Sequence, residues 1–237
     1  MTLKLSDHPP WVREFLGAVE PYQERVLNSP FFVEMADGTL SMRRFRAGLL
    51  YFYPLIEAFP KYMGLTLAKV QEEDSTPNNA AREWLIQNIN LEHKHKLWYR
   101  QWAIDFGVPE SDLRKQVVPP PEIDAVNNFL WRVVHGGSLA EALAAVNLGI
   151  EGPSGIWTKR VKEGIDAYRK RKGVRFGNRT LVWINAHADY DDKHPEEALE
   201  LIKMFARNRE EQDRVTLAAQ RSMAYYAMAA DAIYSLH

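Results

Sequence analysis

Two short clusters carry most of the chemistry this chain could do. They are Leu91-Glu92-His93-Lys94-His95-Lys96-Leu97-Trp98 and His187-Ala188-Asp189-Tyr190-Asp191-Asp192-Lys193-His194, and together they hold four of the 7 histidines. On a helix each residue turns by about 100°. Glu92 and His95, three apart, therefore meet on one face. His187, Asp191 and His194 follow a His-x3-Asp-x2-His pattern, which projects two imidazoles and a carboxylate from one side of a helix. Imidazole with carboxylate suits Zn, Fe, Mn or Ni rather than thiophilic metals. The bland alternative is a solvated helix face. Lys193-His194-Pro195 also reads as a helix entry with Pro in the first turn, and Asp192 then as its cap.

A third candidate is Glu151, in Asn147-Leu148-Gly149-Ile150-Glu151-Gly152-Pro153. It follows the apolar run Leu143-Ala144-Ala145-Val146. A buried acid is costly unless it is paired or bound to metal. The competing reading places Glu151 at an exposed helix end beside Gly152. Bundle cores hold di-iron sites through carboxylates and Glu-x-x-His units on facing helices. Glu92, His95, Glu151, His187, Asp191 and His194 make a coherent set of that kind.

The elements that must position these groups read as helices almost throughout. Apolar spacing marks segments at Trp11–Leu27, at Leu40 to Val70 with Ser41 as cap, and at Ala80–Phe106. Pro54 and Pro60 should kink or split the second of these. Further segments follow at Ile123–His135, from Ser138 to a break at Gly152-Pro153, at Ile156–Tyr168, Arg179–Tyr190, Glu196–Phe205 and Arg209–Tyr234. Strand signals are nearly absent, and Asp37-Gly38 reads as a turn between helices. The expected fold is all-α: one domain over residues 1–237, a bundle of about seven main helices.

Composition excludes several classes. The 237 residues include no cysteine, so there is no disulfide framework, thiolate metal site or cysteine nucleophile. With 30 Lys+Arg against 31 Asp+Glu, the chain lacks the basic excess of a nucleic-acid binder. No stretch approaches the roughly 20 apolar residues of a membrane span, and the N-terminus has no secretory pattern. A cytoplasmic protein without nucleic-acid or membrane partners is expected.

At these residues the chain resembles the heme-oxygenase-like superfamily, which includes TenA thiaminases, pyrroloquinoline-quinone synthase and the chlamydial CADD protein. It looks most like the heme-oxygenase-like di-iron oxidases and oxygenases. The resemblance spans roughly residues 10–235 and rests on Glu92 and His95, Glu151, and His187, Asp191 and His194; His93 and Glu83 are alternatives to Glu92. The segment Phe52-Tyr53-Pro54-Leu55-Ile56-Glu57-Ala58-Phe59-Pro60-Lys61-Tyr62 is similar to the group's second helix. The resemblance implies a heme-oxygenase-like bundle, six ligands for two Fe(II) ions, and O2 as co-substrate. It implies oxidation of a small carboxylate- or amine-bearing molecule, by oxidative decarboxylation, fragmentation or N-oxygenation. A self-sacrificing aminobenzoate route would draw on a tyrosine, with Tyr53, Tyr62 and Tyr190 available. Thiaminases of the TenA type use a cysteine that this chain lacks. His8 precedes the first helix, so heme is not expected.

Tyr53, Glu57, Tyr62 and Trp157 are candidate pocket residues, with Arg132 as a further polar group near a substrate. The basic run Tyr168-Arg169-Lys170-Arg171-Lys172 reads as a helix end or an anion contact. Ala229, Ala230 and Ala232 permit close helix packing, as at a homodimer interface. Two other readings share the fold: a metal-free oxidase of the quinone-synthase type, or a binding protein for an aromatic ligand. A non-catalytic helical interaction module is a third.

Overall fold

The stripe read at Ala80–Phe106 lies in the longest helix. In the computed structural model, which describes residues 3–115, 117–189 and 193–236, α5 runs from Thr76 to Asp105. Its buried face is Ala81, Trp84, Leu85, Asn88, Glu92, His95, Tyr99 and Trp102, at steps of three and four. One helical stripe thus carries apolar and polar groups to the same interior line.

The remaining helices are α1 (Pro10–Leu27), α2 (Pro30–Ala36), α3 (Met42–Tyr51), α4 (Tyr53–Leu67), α6 (Glu110–Arg114), α7 (Pro121–Gly136), α8 (Leu139–Leu143), α9 (Gly152–Gly164), α10 (Val182–Asp189), α11 (His194–Phe205) and α12 (Arg209–Tyr234). No strand occurs among the described residues, and none of the helices is long and apolar enough to cross a membrane. The fold is all-α. Its segments outnumber the seven main helices expected, because several long periodic runs are divided.

Each division has a local cause. Pro54 cannot donate to the carbonyl of Leu50, and the chain parts into α3 and α4 at Phe52. Pro60 is accommodated inside α4. Asp37-Gly38 is a turn between helices, with Gly38 at φ 70. Ser138 and Glu141 form a reciprocal capping box that starts α8.

The expected break at Gly152-Pro153 does not occur. Instead Ala144–Glu151 forms a π-helical segment that runs directly into α9. Pro153 has no N–H for the carbonyl of Gly149, and a widened turn takes up that missing bond. The segment is buried along its whole length. α12 closes over it: Ser222 Oγ donates to the Ala145 carbonyl at 2.6 Å. A Cβ on Gly149 would stand 2.7 Å from Ser222.

α12 packs against the π segment, α7 and α1. Ala229 and Ala230 are fully buried within the chain. They serve the close helix packing expected of them inside the chain, while Ala232 is half-buried.

A strap at the N-terminal end ties α11 down. Leu3 N donates to Glu197 Oε1 at 3.2 Å, and Ser6 N donates to Glu200 Oε1 at 2.9 Å. Ser6 Oγ donates to Glu200 Oε2 at 2.8 Å, and Lys203 Nζ donates to Glu200 Oε1 at 2.7 Å. The Glu200 and Lys203 side chains are only 5% and 10% exposed. Removing one member of a buried pair strands the other charge. Glu200→Ala is therefore expected to lose about 3 kcal/mol in urea unfolding. A loss under about 0.5 kcal/mol, the size of an ordinary surface change, would show that the strap is not fastened there.

Candidate metal centre

α5, the π segment, α10 and α11 bring their polar residues to one place. Glu92, His95, Glu151 and His187 are all buried, at 4%, 1%, 5% and 7% exposure, and His194 is half-buried. One ligand atom from each of Glu92, Glu151 and His194 lies within 4.8 Å of the other two. His95 Nδ1 stands 2.9 Å from Glu92 Oε1. The His95 and His187 ring centroids are 4.6 Å apart. Five of the six residues singled out in the sequence thus converge, while Asp191 lies outside the described residues.

The second cluster is not one helix. α10 ends at Asp189 and α11 begins at His194, with Pro195 in its first turn. Lys193 is a bend, so His187 and His194 do not share one continuous helix, and the Asp191 part of the expected stripe lies outside the described residues. His187 and His194 reach the site from two separate helices, and Lys193-His194-Pro195 is the helix entry.

Glu151 is interior rather than an exposed helix end. Asn147, four residues earlier, donates Nδ2–H to Glu151 Oε2 at 2.9 Å. The alternatives to Glu92 fall away, since Glu83 and His93 are both exposed on the far side of α5.

Electrostatics favour the neutral form of the histidines, the form in which imidazole can bind a metal. His187 Nδ1 lies 2.8 Å from the Trp183 carbonyl. A carbonyl only accepts, so Nδ1 carries the proton and Nε2 is the lone-pair nitrogen. Burial pushes the His187 pKa well below its usual value, and the neighbouring His95 pushes it further. Burial also lowers that of His194, partly offset by Glu92 and Glu197. Glu92 Oε1 is a buried acceptor with no hydrogen-bond donor aligned on it among the described residues. Two buried carboxylates gathered with imidazoles form a donor set that fits an iron-type ion.

The depressed histidines make the metal-free protein sensitive to acid. Between the folded and unfolded pKa values the unfolded chain binds more protons, so stability rises with pH. The stabilising contribution is complete above about 6.5, the unfolded value, and is lost as pH falls below it. Two such groups give a slope of up to about 2.7 kcal/mol per pH unit. Urea unfolding of metal-free protein from pH 7 to pH 5 measures it. A flat profile there would show that the two imidazoles are solvated.

Glu197 was missed. It lies one turn after His194, buried, and accepts from Trp84 Nε1 at 2.7 Å as well as from Leu3 N. His194-x-x-Glu197 has the same spacing as Glu92-x-x-His95. Glu196-Glu197 in a first turn also reads as simple compensation of the helix dipole, which hid it.

A pocket opens onto the centre. Glu92, Glu151 and His187 form part of its wall, and Phe31, Phe32, Met35, Leu49, Leu55, Ile56 and Phe59 make much of the rest. Trp157 lines it too, and donates Nε1–H to Tyr226 Oη at 3.0 Å. The other expected pocket residues lie elsewhere. Tyr53 stacks on Tyr99 at 6.3 Å, outside the lining. Glu57 points to solvent, because it falls on the outer face of α4. Tyr62 turns to α7, donating to Asn127 and packing on Trp131. Arg132 is exposed, over the Phe129 ring. The basic run is structural in part, since Arg171 donates to the Gly38 and Leu40 carbonyls.

Residues 46–227 match the family described as iron-containing redox enzymes. The chain belongs to this family. A curated relative, the 4-aminobenzoate synthase of Chlamydia muridarum (strain MoPn / Nigg), is 24% identical over 202 residues, covering 83% of this chain and 79% of that protein. Among solved structures, a TenA homolog from Pseudomonas syringae pv. tomato str. DC3000 superposes with a TM-score of 0.88 at 28% identity, covering 100% of both chains. A domain with a heme oxygenase-like fold from Shewanella denitrificans OS217 gives a TM-score of 0.76 at 17% identity, over 96% of this chain and 93% of that one. The fold is heme-oxygenase-like, as the sequence resemblance implied.

Proposed function

We propose that this member of the iron-containing redox enzymes is a non-heme di-iron, O2-dependent oxidase or oxygenase. Its substrate is a small carboxylate- or amine-bearing molecule, oxidised by decarboxylation, fragmentation or N-oxygenation. The observation that carries this reading is the buried meeting of Glu92, Glu151 and His194 within 4.8 Å, beside His95 and His187 and at the head of an apolar pocket. The curated relative named as 4-aminobenzoate synthase supports it. Cysteine-dependent hydrolysis has no nucleophile in this chain.

Glu92, His95, Glu151, His187 and His194 would hold the iron, with Asp191 proposed as the sixth ligand. Iron(II) bound there would supply electrons for the reduction of O2. The two glutamates would offset the ions' charge and anchor them at the pocket end. Phe32, Phe52 and Trp157 exclude water from the space where a substrate lies. Burial raises the Tyr226 phenol to about 12, partly countered by hydrogen bonds with Ser154 and Trp157. Tyr226 therefore keeps its proton at the pocket wall.

The test is anaerobic titration with Fe(II), followed by iron analysis and O2 uptake. About two iron ions per chain are expected, as in carboxylate-bridged bundles, with O2 consumed after loading. Asp191→Ala should lose at least one of them. A chain that stays iron-free in excess Fe(II) and takes up no O2 overturns the reading.

A further inference from the structure

The four most deeply buried tryptophans near the site do not share one fate. Trp84 donates to Glu197, and Trp157 donates to Tyr226. Trp102 and Trp183 are 1% and 2% exposed, yet neither indole N–H has a hydrogen-bond partner among the described residues. Buried indole N–H groups usually find an acceptor. Leaving one unmade carries the desolvation cost of the group, and here there are two.

The two orphans are neighbours. Their rings stack at 5.3 Å with 13° between planes. Both belong to the lining of the pocket that reaches Glu92 and His187. The Trp183 ring also lies 3.9 Å from the His187 ring. An apolar pocket with a few convergent polar groups is the usual form of a small-molecule site. Here the unspent groups on the indole side are donors only.

We infer that Trp102 and Trp183 form an oxygen-accepting subsite: their N–H groups hold an acceptor oxygen of the ligand, a carboxyl or carbonyl group on an apolar body. The proposal rests on the reading of this pocket as the substrate site, and it adds which residues orient the substrate. The apolar wall takes the body. The indoles take the oxygen beside His187, so the adjoining carbon faces the candidate centre. A neutral carbonyl fits without help. A carboxylate would meet Glu92 and Glu151, so a bound cation should strengthen its binding.

Benzamide and toluene separate the oxygen from the apolar body. The chain has 7 tryptophans, so indole 15N labelling gives a small set of signals, assigned by single Trp→Phe variants. Titrations are run with and without Zn(II), a redox-inert stand-in for iron. Benzamide should move the Trp102 and Trp183 indole protons downfield and leave those of Trp84 and Trp157 in place. Toluene should produce no downfield shift. Trp102→Phe and Trp183→Phe should each weaken benzamide about fivefold to tenfold, the range for one hydrogen bond, and leave toluene within about twofold.

Equal losses for both probes would overturn the inference, because the indoles would then act only as packing. So would two indole signals that ignore benzamide while it binds, since a fixed water would be the acceptor. The shifts in the unaltered protein stand even if a variant folds poorly. Iron content is measured separately. Normal iron binding without an indole response ends this inference alone. An indole response in a chain that refuses iron ends the functional reading alone.

Discussion

Glu151→Gln is expected to weaken iron binding by at least about 100-fold, beyond what the loss of an outer hydrogen-bond partner costs, while leaving the metal-free fold intact. The substitution keeps the volume, and the new amide oxygen still accepts from Asn147, which donates to Glu151 at 2.9 Å. What changes is one negative charge, a short distance from Glu92. Without metal, two nearby buried carboxylates repel, so neutralising one relieves the site. With metal, the same charge anchors the ion. The metal-free melting temperature should therefore hold or rise by about 2–4 °C, the shift of 1 kcal/mol in a chain of this size. The stabilisation that the unaltered protein gains from Fe(II) should largely vanish. Thermal melts with and without Fe(II), beside iron analysis, report both effects. A metal-free protein that melts about 10 °C lower while keeping its iron would make Glu151 a structural carboxylate.

The second large effect is expected at Gly164→Ala. Gly164 ends α9 where it crosses the end of α2, and an added Cβ would stand 1.5 Å from the Ala36 carbonyl oxygen. That neighbour is backbone, so no rotamer change relieves it. The helices must separate, and overpacking of this kind costs about 3 kcal/mol or more. A fall in melting temperature of about 6–12 °C follows. The damage should also reach the pocket, because Phe31, Phe32 and Met35 come from α2 while Ser154 and Trp157 come from α9. Gly17→Ala is the control. It lies within α1 with nothing within 4 Å of its added Cβ, and should gain about 0.5–1 kcal/mol from helix propensity alone. A small effect at Gly164, matching that at Gly17, would show that α2 and α9 are not in such close contact.

The family match gives these experiments their frame. Iron chemistry is the family's, and the choice of substrate belongs to the pocket. The pocket's apolar wall and its two indole donors favour a ligand with a hydrophobic body and one oxygen-bearing end. The acid sensitivity expected of His187 and His194 has the same origin as their proposed role as metal ligands. Neutral imidazoles held in a buried site have no proton to displace.

Much of the site could be read from the residues because helical geometry is local. Three or four residues turn a helix through about one revolution, so Glu92 and His95 were bound to share a face once α5 formed. The apolar spacing that makes α5 a helix lies in the same short window. The apolar neighbours of Glu151 marked it as a buried acid on similar local grounds, although an exposed helix end remained an equal reading. The absence of cysteine excluded thiol chemistry without any structure.

Nothing local determines how one helix faces another. His187 and His194 were expected on a single stripe, yet they come from α10 and α11. Only packing brings them back together. Tyr62 had a pocket-like sequence setting, but α7 lies on its side of α4 and claims its hydroxyl. Glu197 carries no mark in its own segment, and the groups that donate to it, Trp84 and Leu3, come from elsewhere in the chain. The two unpaired indoles were invisible for the same reason, since every acceptor they lack would have to come from another element. Periodicity sets angles about one axis. The distances between axes follow from which side chains interlock across the core, and those distances decided which polar groups meet at the candidate metal centre and its pocket.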